Sequence, residues 1–340
     1  MDAMVGLLDG TRARGAFLLR GVLDPPWALR IQDRAPLTLV AVVRGHAWLT
    51  MGQAAPVPAG AGDVALIRGP DHYEIADTPN TPAQVVIHPG QRCTTLHGED
   101  LALSMGLGIR TWGNNPDGAT MMLTGTYESH STIAKPLLDA LPPIIVVRGN
   151  DWDSPLVELL GQEIVKNDPG QDVVLDRLLD LLVVAVVRAW CTRQDSAAPG
   201  WWRASNDPIV GHALRLIHNR PDEPWTIATL AHEVGVSRAN LARRFHDLVG
   251  VPPIGYLTRW RLALAADLLA NPDATIAAVA QQVGYSSAFA LSTAYKRHHG
   301  LSPRQHRTSQ PRPPKAQPHA DPFGGGAPAV GVDADLPPRP

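Results

Sequence analysis

Apolar residues recur in two rhythms along this chain, and the change of rhythm divides it. Up to about residue 130, short β-branched-rich runs are broken by Gly, Pro and Asp. The runs are Phe17–Arg20, Leu37–Val43, Ala47–Met51, Val64–Ile67, Gln84–His88 and Thr120–Tyr127. Turn signals such as Gly60-Ala61-Gly62-Asp63 and Arg68-Gly69-Pro70-Asp71 punctuate them, a pattern that predicts an all-β barrel or jelly roll. Beyond Lys135 the period lengthens. Ser154–Lys166 and Asp172–Thr192 read as helices, the second apolar almost all round, and both are expected to pack on the barrel and on a partner chain. The fold class expected is α+β in two domains, a β-barrel with helices followed by an all-α domain.

The all-α part contains an internal repeat. Thr226-Ile227-Ala228, Leu230-Ala231 and Val234-Gly235 answer to Thr275-Ile276-Ala277, Val279-Ala280 and Val283-Gly284. After a one-residue insertion, Phe245, Gly250 and Pro253 answer to Tyr295, Gly300 and Pro303. Two copies make a tandem pair and not a solenoid. Each copy predicts helix, glycine turn and second helix. Thr226 caps a short helix whose Ile227, Leu230, Ala231 and Val234 share a face, and Gly235 supplies the positive φ of its exit. Ser237 caps the next helix, with Val236, Leu241 and Phe245 inward and Arg238, Asn240, Arg243 and Arg244 outward. Those outward side chains are the types that hydrogen-bond base edges and phosphates, so each unit reads as a helix-turn-helix. A plain αα-hairpin with a solvated face is the alternative for a single copy; the matched turn glycines favour the first reading.

Over residues 207–307 these features resemble the AraC-type transcriptional regulators. The resemblance includes the tandem pair and the connecting Arg261-Leu262-x-x-Ala265-x-x-Leu268-Leu269. It extends to the closing Val283-Gly284-Tyr285, Tyr295-Lys296-Arg297 and Gly300-Leu301-Ser302-Pro303. It implies a long central helix joining two DNA-reading units, begun by Pro252-Pro253, with Leu257, Leu264 and Leu268 as its buried stripe, and ended by Asn271-Pro272. The second recognition helix offers Ser286, Ser287, Ser292 and Thr293 where many relatives carry an arginine, while Lys296 and Arg297 suit phosphate contacts. Its half of a DNA site is expected to tolerate base changes better.

The first two hundred residues resemble the cupin-like sensor half of such proteins. The likeness rests on Arg44-Gly45-His46-Ala47-Trp48-Leu49, Ala61-Gly62-Asp63-Val64 and Ala140-Leu141-Pro142-Pro143. It implies a small apolar or aromatic effector inside the barrel, with Trp27, Trp48, His72, Tyr73 and Trp112 as candidate lining residues that serve equally well as ordinary core aromatics. The metal signature of enzymatic cupins is broken, since His46 is followed by Trp48 with no glutamate nearby. His88, Cys93 and His97 remain candidate ligands, with a core thiol and two surface histidines as the plainer reading. Arg92 beside Cys93 raises redox sensing as a further option. No resident cofactor is expected. The partners implied are double-stranded promoter DNA, a small effector and a second copy of the chain, with RNA polymerase as a candidate.

Charge supports the division. The whole 340-residue chain carries −2, but residues 205–307 hold 11 Arg and Lys against 7 Asp and Glu, whereas residues 1–203 hold 16 against 22. A basic second half fits nucleic-acid contact, and the modest excess implies modest nonspecific affinity. Two cysteines without CxxC spacing fit a reduced, cytoplasmic setting. The most apolar stretch, Leu181–Val187, is too short to span a bilayer. Hydrolase, P-loop, dinucleotide-binding and zinc-protease motifs do not occur. The domains expected are 1–193 (sensor and dimerisation), a linker over 194–206 containing Trp201-Trp202, 207–307 (DNA binding) and a disordered tail, 308–340, with nine prolines. Two functions compete: a DNA-binding regulator controlled through its barrel, and a metal-dependent cupin enzyme with an accessory DNA-binding or assembly domain.

Overall fold

The computed structural model describes residues 16–127, 138–152, 154–193, 199–271 and 273–309. Pro272, the first five residues of the expected linker (194–198) and the expected tail beyond Ser309 lie outside the described residues.

Among the described residues thirteen strands form two sheets. β1 (Phe17–Leu23), β3 (Leu37–Arg44), β6 (Val64–Arg68), β10 (Gly106–Gly108), β11 (Thr111–Gly113), β12 (Thr120–Tyr127) and β13 (Ile144–Val147) make a seven-stranded sheet in the order β10-β11-β1-β12-β3-β6-β13. β2 (Ala28–Ile31), β4 (His46–Met51), β5 (Val57–Gly60), β7 (Tyr73–Ala76), β8 (Val85–Ile87) and β9 (Cys93–Thr95) make a six-stranded sheet in the order β5-β4-β7-β2-β8-β9. Leu23, Val40, Val42, Ala65, Ile67 and Met122 from the first sheet meet Ala47, Leu49, Tyr73, Ile75, Val85 and Ile87 from the second, which closes the barrel core.

The larger sheet is buried on both faces. Its outer residues, Leu37, Leu39, Ala41, Leu66, Leu123 and Ile145, pack under α1 (Leu156–Glu163) and α2 (Gln171–Arg193). This explains the unbroken apolar run of β3, which alternation alone would not demand. It also explains the composition of α2. Leu175, Leu178, Leu179, Leu182, Val183, Val186 and Val187 sink into this second core, and Leu179 seats on Gly125 so closely that a Cβ there would lie 2.4 Å from its Cδ1. The face of α2 expected to meet a partner chain is therefore largely its intrachain face. Its exposed apolar residues are Val173, Val174 and Leu181.

Among the described residues eight more α-helices follow: α3 (Gly200–Asn206), α4 (Val210–Asn219), α5 (Ile227–Glu233), α6 (Arg238–Val249), α7 (Pro253–Leu269), α8 (Ile276–Gln282), α9 (Ala288–His299) and α10 (Pro303–Ser309). They enclose two small cores. Leu214, Ile217, Leu230, Leu241, Phe245, Leu257 and Trp260 form the first, and Leu262, Ala265, Leu269, Val279, Leu291 and Tyr295 form the second. α7 contributes to both in turn. Its buried positions accordingly wind around the helix instead of forming the single Leu257, Leu264, Leu268 stripe, and Leu264 and Leu268 are only partly buried. Where the sequence suggested a linker, residues 200–206 are helical. α3 packs on α4 and α6, with Ala204 buried in the first helical core. Trp202, on the same helix, packs against the core beneath α2, so α3 touches both halves of the chain.

Candidate nucleic-acid interface

The two recognition helices start where local chemistry starts them. In the first unit Thr226 and Thr229 form a reciprocal capping box, each hydroxyl accepting from the other residue's backbone N–H at 3.1 and 2.9 Å. Ser237 accepts from the backbone N–H of Asn240 at 3.2 Å and so opens α6. The second unit repeats this: Thr275 accepts from Ala278 N–H and Ser287 from Ala290 N–H, both at 3.1 Å. The hydroxyls of Ser237 and Ser287, expected as DNA contacts, thus serve first as caps.

Burial sorts the expected base-reading residues. On α6, Arg238 and Arg243 are exposed, together with Ala239 and His246, which the sequence reading did not single out. Arg243 lies 3.7 Å from Asp247, an exposed pair worth little to stability, and donates to the Asn240 side-chain oxygen at 3.5 Å. Asn240 is half-buried on the flank of this surface.

Arg244 corrects the expectation. Its guanidinium does not reach outward but forks onto Asp207, Nε donating to Oδ1 at 3.1 Å and to Oδ2 at 2.9 Å. Asp207 also accepts from the backbone N–H groups of Ile209 and Val210 at the start of α4. Burial by itself would raise this carboxyl. The Arg244 and backbone hydrogen bonds outweigh it and hold Asp207 below the usual carboxylate range. A depressed folded-state pKa contributes stability that is present above the unfolded value and lost as pH falls through the folded one. Asp207→Asn is therefore expected to lower stability at neutral pH by about 2 kcal/mol, the scale of a hydrogen bond to a charged group. It is also expected to flatten the acid limb of the unfolding curve, which chemical denaturation at pH 7 and pH 3 would check. An unchanged acid limb would remove Asp207 from the account.

Ser286, just before the cap of α9, is exposed, as are Thr293, Lys296 and Arg297 on that helix, and Ser292 is half-buried. Phe289, which the sequence reading also passed over, is 81% exposed. Phe289, Ser292, Thr293, Lys296, Arg297 and Ser302 line one open groove of about 450 Å³.

Arg261 on α7 lies between the loop ahead of the first unit and the turn of the second. Its Nε donates to the carbonyl of Pro221 at 2.6 Å and its Nη2 to that of Glu223 at 2.7 Å, both in the loop after α4, and its guanidinium lies 6.0 Å from the centre of the Tyr285 ring. The motif arginine is thus a positioning residue between the first unit and the turn of the second.

Trp27 and Trp112 are 1% exposed and Tyr73 is buried beside them in the same core. Trp48 is half-buried on the alternate face of β4 from the inward Ala47 and Leu49, and His72 is exposed in the turn before β7. Neither lines the interior as expected. The Nε1 groups of Trp27 and Trp112 find no acceptor among the described residues.

The candidate ligands of the β8–β9 turn do not gather. His88 Nε2 hydrogen-bonds Thr94 Oγ1 at 2.9 Å, the Cys93 thiol points to the Gln91 carbonyl at 3.5 Å, and His97 is exposed. Among the described residues no three His, Cys, Asp or Glu side chains are placed to hold a metal ion. Burial, with the Asp100 charge added, pushes the Cys93 thiol up to about 12, and Arg92 faces solvent instead of lowering it. Such a thiol is protonated at neutral pH and a poor nucleophile, which removes the basis for redox sensing at Cys93 in this conformation. Among the described residues no helix is long and apolar enough to cross a membrane.

A two-sheet barrel joined to paired helix-turn-helix units, with basic side chains at the second helix of each, defines a DNA-binding transcription regulator. Comparison with known proteins gives the family. A cupin family model matches residues 2–192 and a helix-turn-helix domain model residues 230–309. An AraC-like transcription regulator of Streptomyces lividans is 31% identical over 312 residues, 90% of this chain and 98% of that protein. The transcriptional regulator AlkR of Acinetobacter baylyi is 28% identical over 322 residues, 90% of this chain and 99% of its own. The crystal structure of a Chromobacterium violaceum regulator with an AraC-type DNA-binding domain is 32% identical, covering 32% of this chain and 98% of that one at a TM-score of 0.30. The chain belongs to the AraC-type transcriptional regulators, with a cupin domain ahead of its DNA-binding half. These relatives are named regulators and not enzymes.

Proposed function

We propose that the chain binds promoter DNA through both helix-turn-helix units at once and that its barrel adjusts this binding to a small effector. The observation that supports the DNA part is Arg261 on α7, which donates to the Pro221 and Glu223 carbonyls ahead of the first unit and lies 6.0 Å from the Tyr285 ring at the turn of the second. Two helices so fixed suit successive major grooves on one face of the duplex, a direct site of about 17–20 base pairs. Arg238 and Arg243 carry base reading in the first unit, with Asn240 beside them; Lys296 and Arg297 hold phosphates in the second. In gel-shift titrations Arg238→Ala is expected to cost roughly 1–3 kcal/mol and to relax preference at one base position. Lys296→Ala is expected to weaken binding to every sequence alike. Unchanged affinity and preference in Arg238→Ala would refute the assignment of α6.

Support for an effector site comes from the two indole N–H groups left without acceptors between apolar walls, each an unmet cost of about 1–3 kcal/mol. A mostly apolar effector carrying hydrogen-bond acceptors would satisfy them. A compound that raises the melting temperature equally in Trp27→Phe, Trp112→Phe and parent protein would count against this site. The signal has a route in α3, whose Trp202 packs on the core beneath α2 while its other side packs on α6. Homodimerisation falls to the exposed stripe of α2 around Val174 and Leu181.

A further inference from the structure

On the second recognition helix one strongly exposed residue is not polar. Phe289 is 81% exposed on α9, while Leu291 and Tyr295 on the opposite face are fully buried in the second helical core. Nothing in the fold requires an aromatic ring at 289. The internal repeat shows what the position is for. At an offset of 50 residues, Phe289 stands where the first unit has exposed Ala239, Thr293 where it has Arg243, and Lys296 where it has His246. Positions 289, 292, 293 and 296 are spaced i, i+3, i+4, i+7 and share one face. The groove they line also takes in Arg297. An apolar ring flanked by two cations and three hydroxyls complements a polyanion that exposes an apolar group between its phosphates. In the major groove that group is the 5-methyl of thymine, which apolar side chains contact.

We propose that Phe289 is a specificity-determining residue of the second helix-turn-helix unit, reading the 5-methyl group of a thymine in the major groove. The proposal rests on the reading that both units engage one duplex. It replaces the expectation that the Ser- and Thr-bearing second unit reads little: this unit selects for a methyl group where the first selects through hydrogen bonds.

The test uses the full chain and a duplex enriched by it from a randomised pool. Each thymine is replaced singly by deoxyuridine, which removes the methyl and leaves base pairing intact. At one or two thymines in the Lys296-proximal sub-site, the replacement is expected to weaken binding roughly fourfold, the scale of one buried methyl group. Phe289→Ala is expected to bind the original duplex with the same loss, to ignore deoxyuridine at those positions and to melt as the parent does, because the ring is exposed. A deoxyuridine penalty that persists undiminished in Phe289→Ala, or no penalty at any thymine in the parent, would overturn the proposal while leaving DNA binding standing. Protection of only one sub-site would overturn it as well. Unaltered DNA binding by Phe289→Ala with lost promoter activation would place the ring against a protein partner and refute it. Failure to enrich any duplex would instead remove the DNA-binding reading on which it rests.

Discussion

Leu179→Asp is expected to abolish folding of the barrel half, whereas Leu181→Asp, two residues along the same helix, leaves it folded and separates the two copies of a dimer. Leu179 is fully buried and seats in the gap that Gly125 leaves on β12. An aspartate there places an unpaired charge between α2 and the seven-stranded sheet and opens a cavity as well, a combination costing more than about 4 kcal/mol. Leu181 is 54% exposed on the opposite side, in line with Val174 one helical repeat earlier. Exposed apolar residues in a line on a long helix are a surface that a second copy would cover. Circular dichroism with sedimentation at tens of micromolar separates the two effects. A folded Leu179→Asp protein would contradict the packing described, and a Leu181→Asp protein that still sediments as a dimer would refute the proposed interface.

Gly284→Ala is expected to dislodge the second helix-turn-helix unit. Gly284 has φ +76°, a conformation that costs an L-residue with a side chain about 1–2 kcal/mol. The Cβ would also stand 2.7 Å from the backbone of Asp222 and 2.6 Å from Nη2 of Arg261. Neither neighbour can yield cheaply, because Arg261 is held by the Pro221 and Glu223 carbonyls. Together these effects amount to about 3 kcal/mol and fall where the two units meet. The corresponding Gly235 has a similar φ, +71°, but open space around it, so Gly235→Ala should cost only the backbone strain. Thermal melting of the two variants, with gel shifts on a full-length site, would show the difference. Equal melting temperatures would mean that the Arg261 contact does not hold the units together.

The sequence revealed most where structure is set by neighbours in the chain. Thr226, Ser237, Thr275 and Ser287 act as caps and Gly235 and Gly284 as turns because each needs only groups a few residues away. The longer strands β3, β6 and β12 were legible from apolar runs. Strands of three or four residues, such as β5 with Pro58 inside it or β10 with two glycines, carry too little pattern to show. Long-range pairings were hidden. Nothing around Arg244 indicates that Asp207, 37 residues away, claims it from the DNA-facing side. The inward or outward direction of Trp48 depends on strand register, which a run of residues does not fix by itself, and His72 falls one residue short of its strand. Phe289 was missed for the opposite reason, because an aromatic residue on a helix is normally read as core.

In the proposed function, α7 and the Arg261 contacts hold the two recognition helices at one fixed separation, so that both enter the same face of the duplex. Inserting five base pairs, about half a helical turn, between the two sub-sites tests it most directly. Protection of both sub-sites by one DNA-binding half should then be lost, and affinity should fall to that of a single unit. Undiminished affinity with both sub-sites still protected would contradict the account.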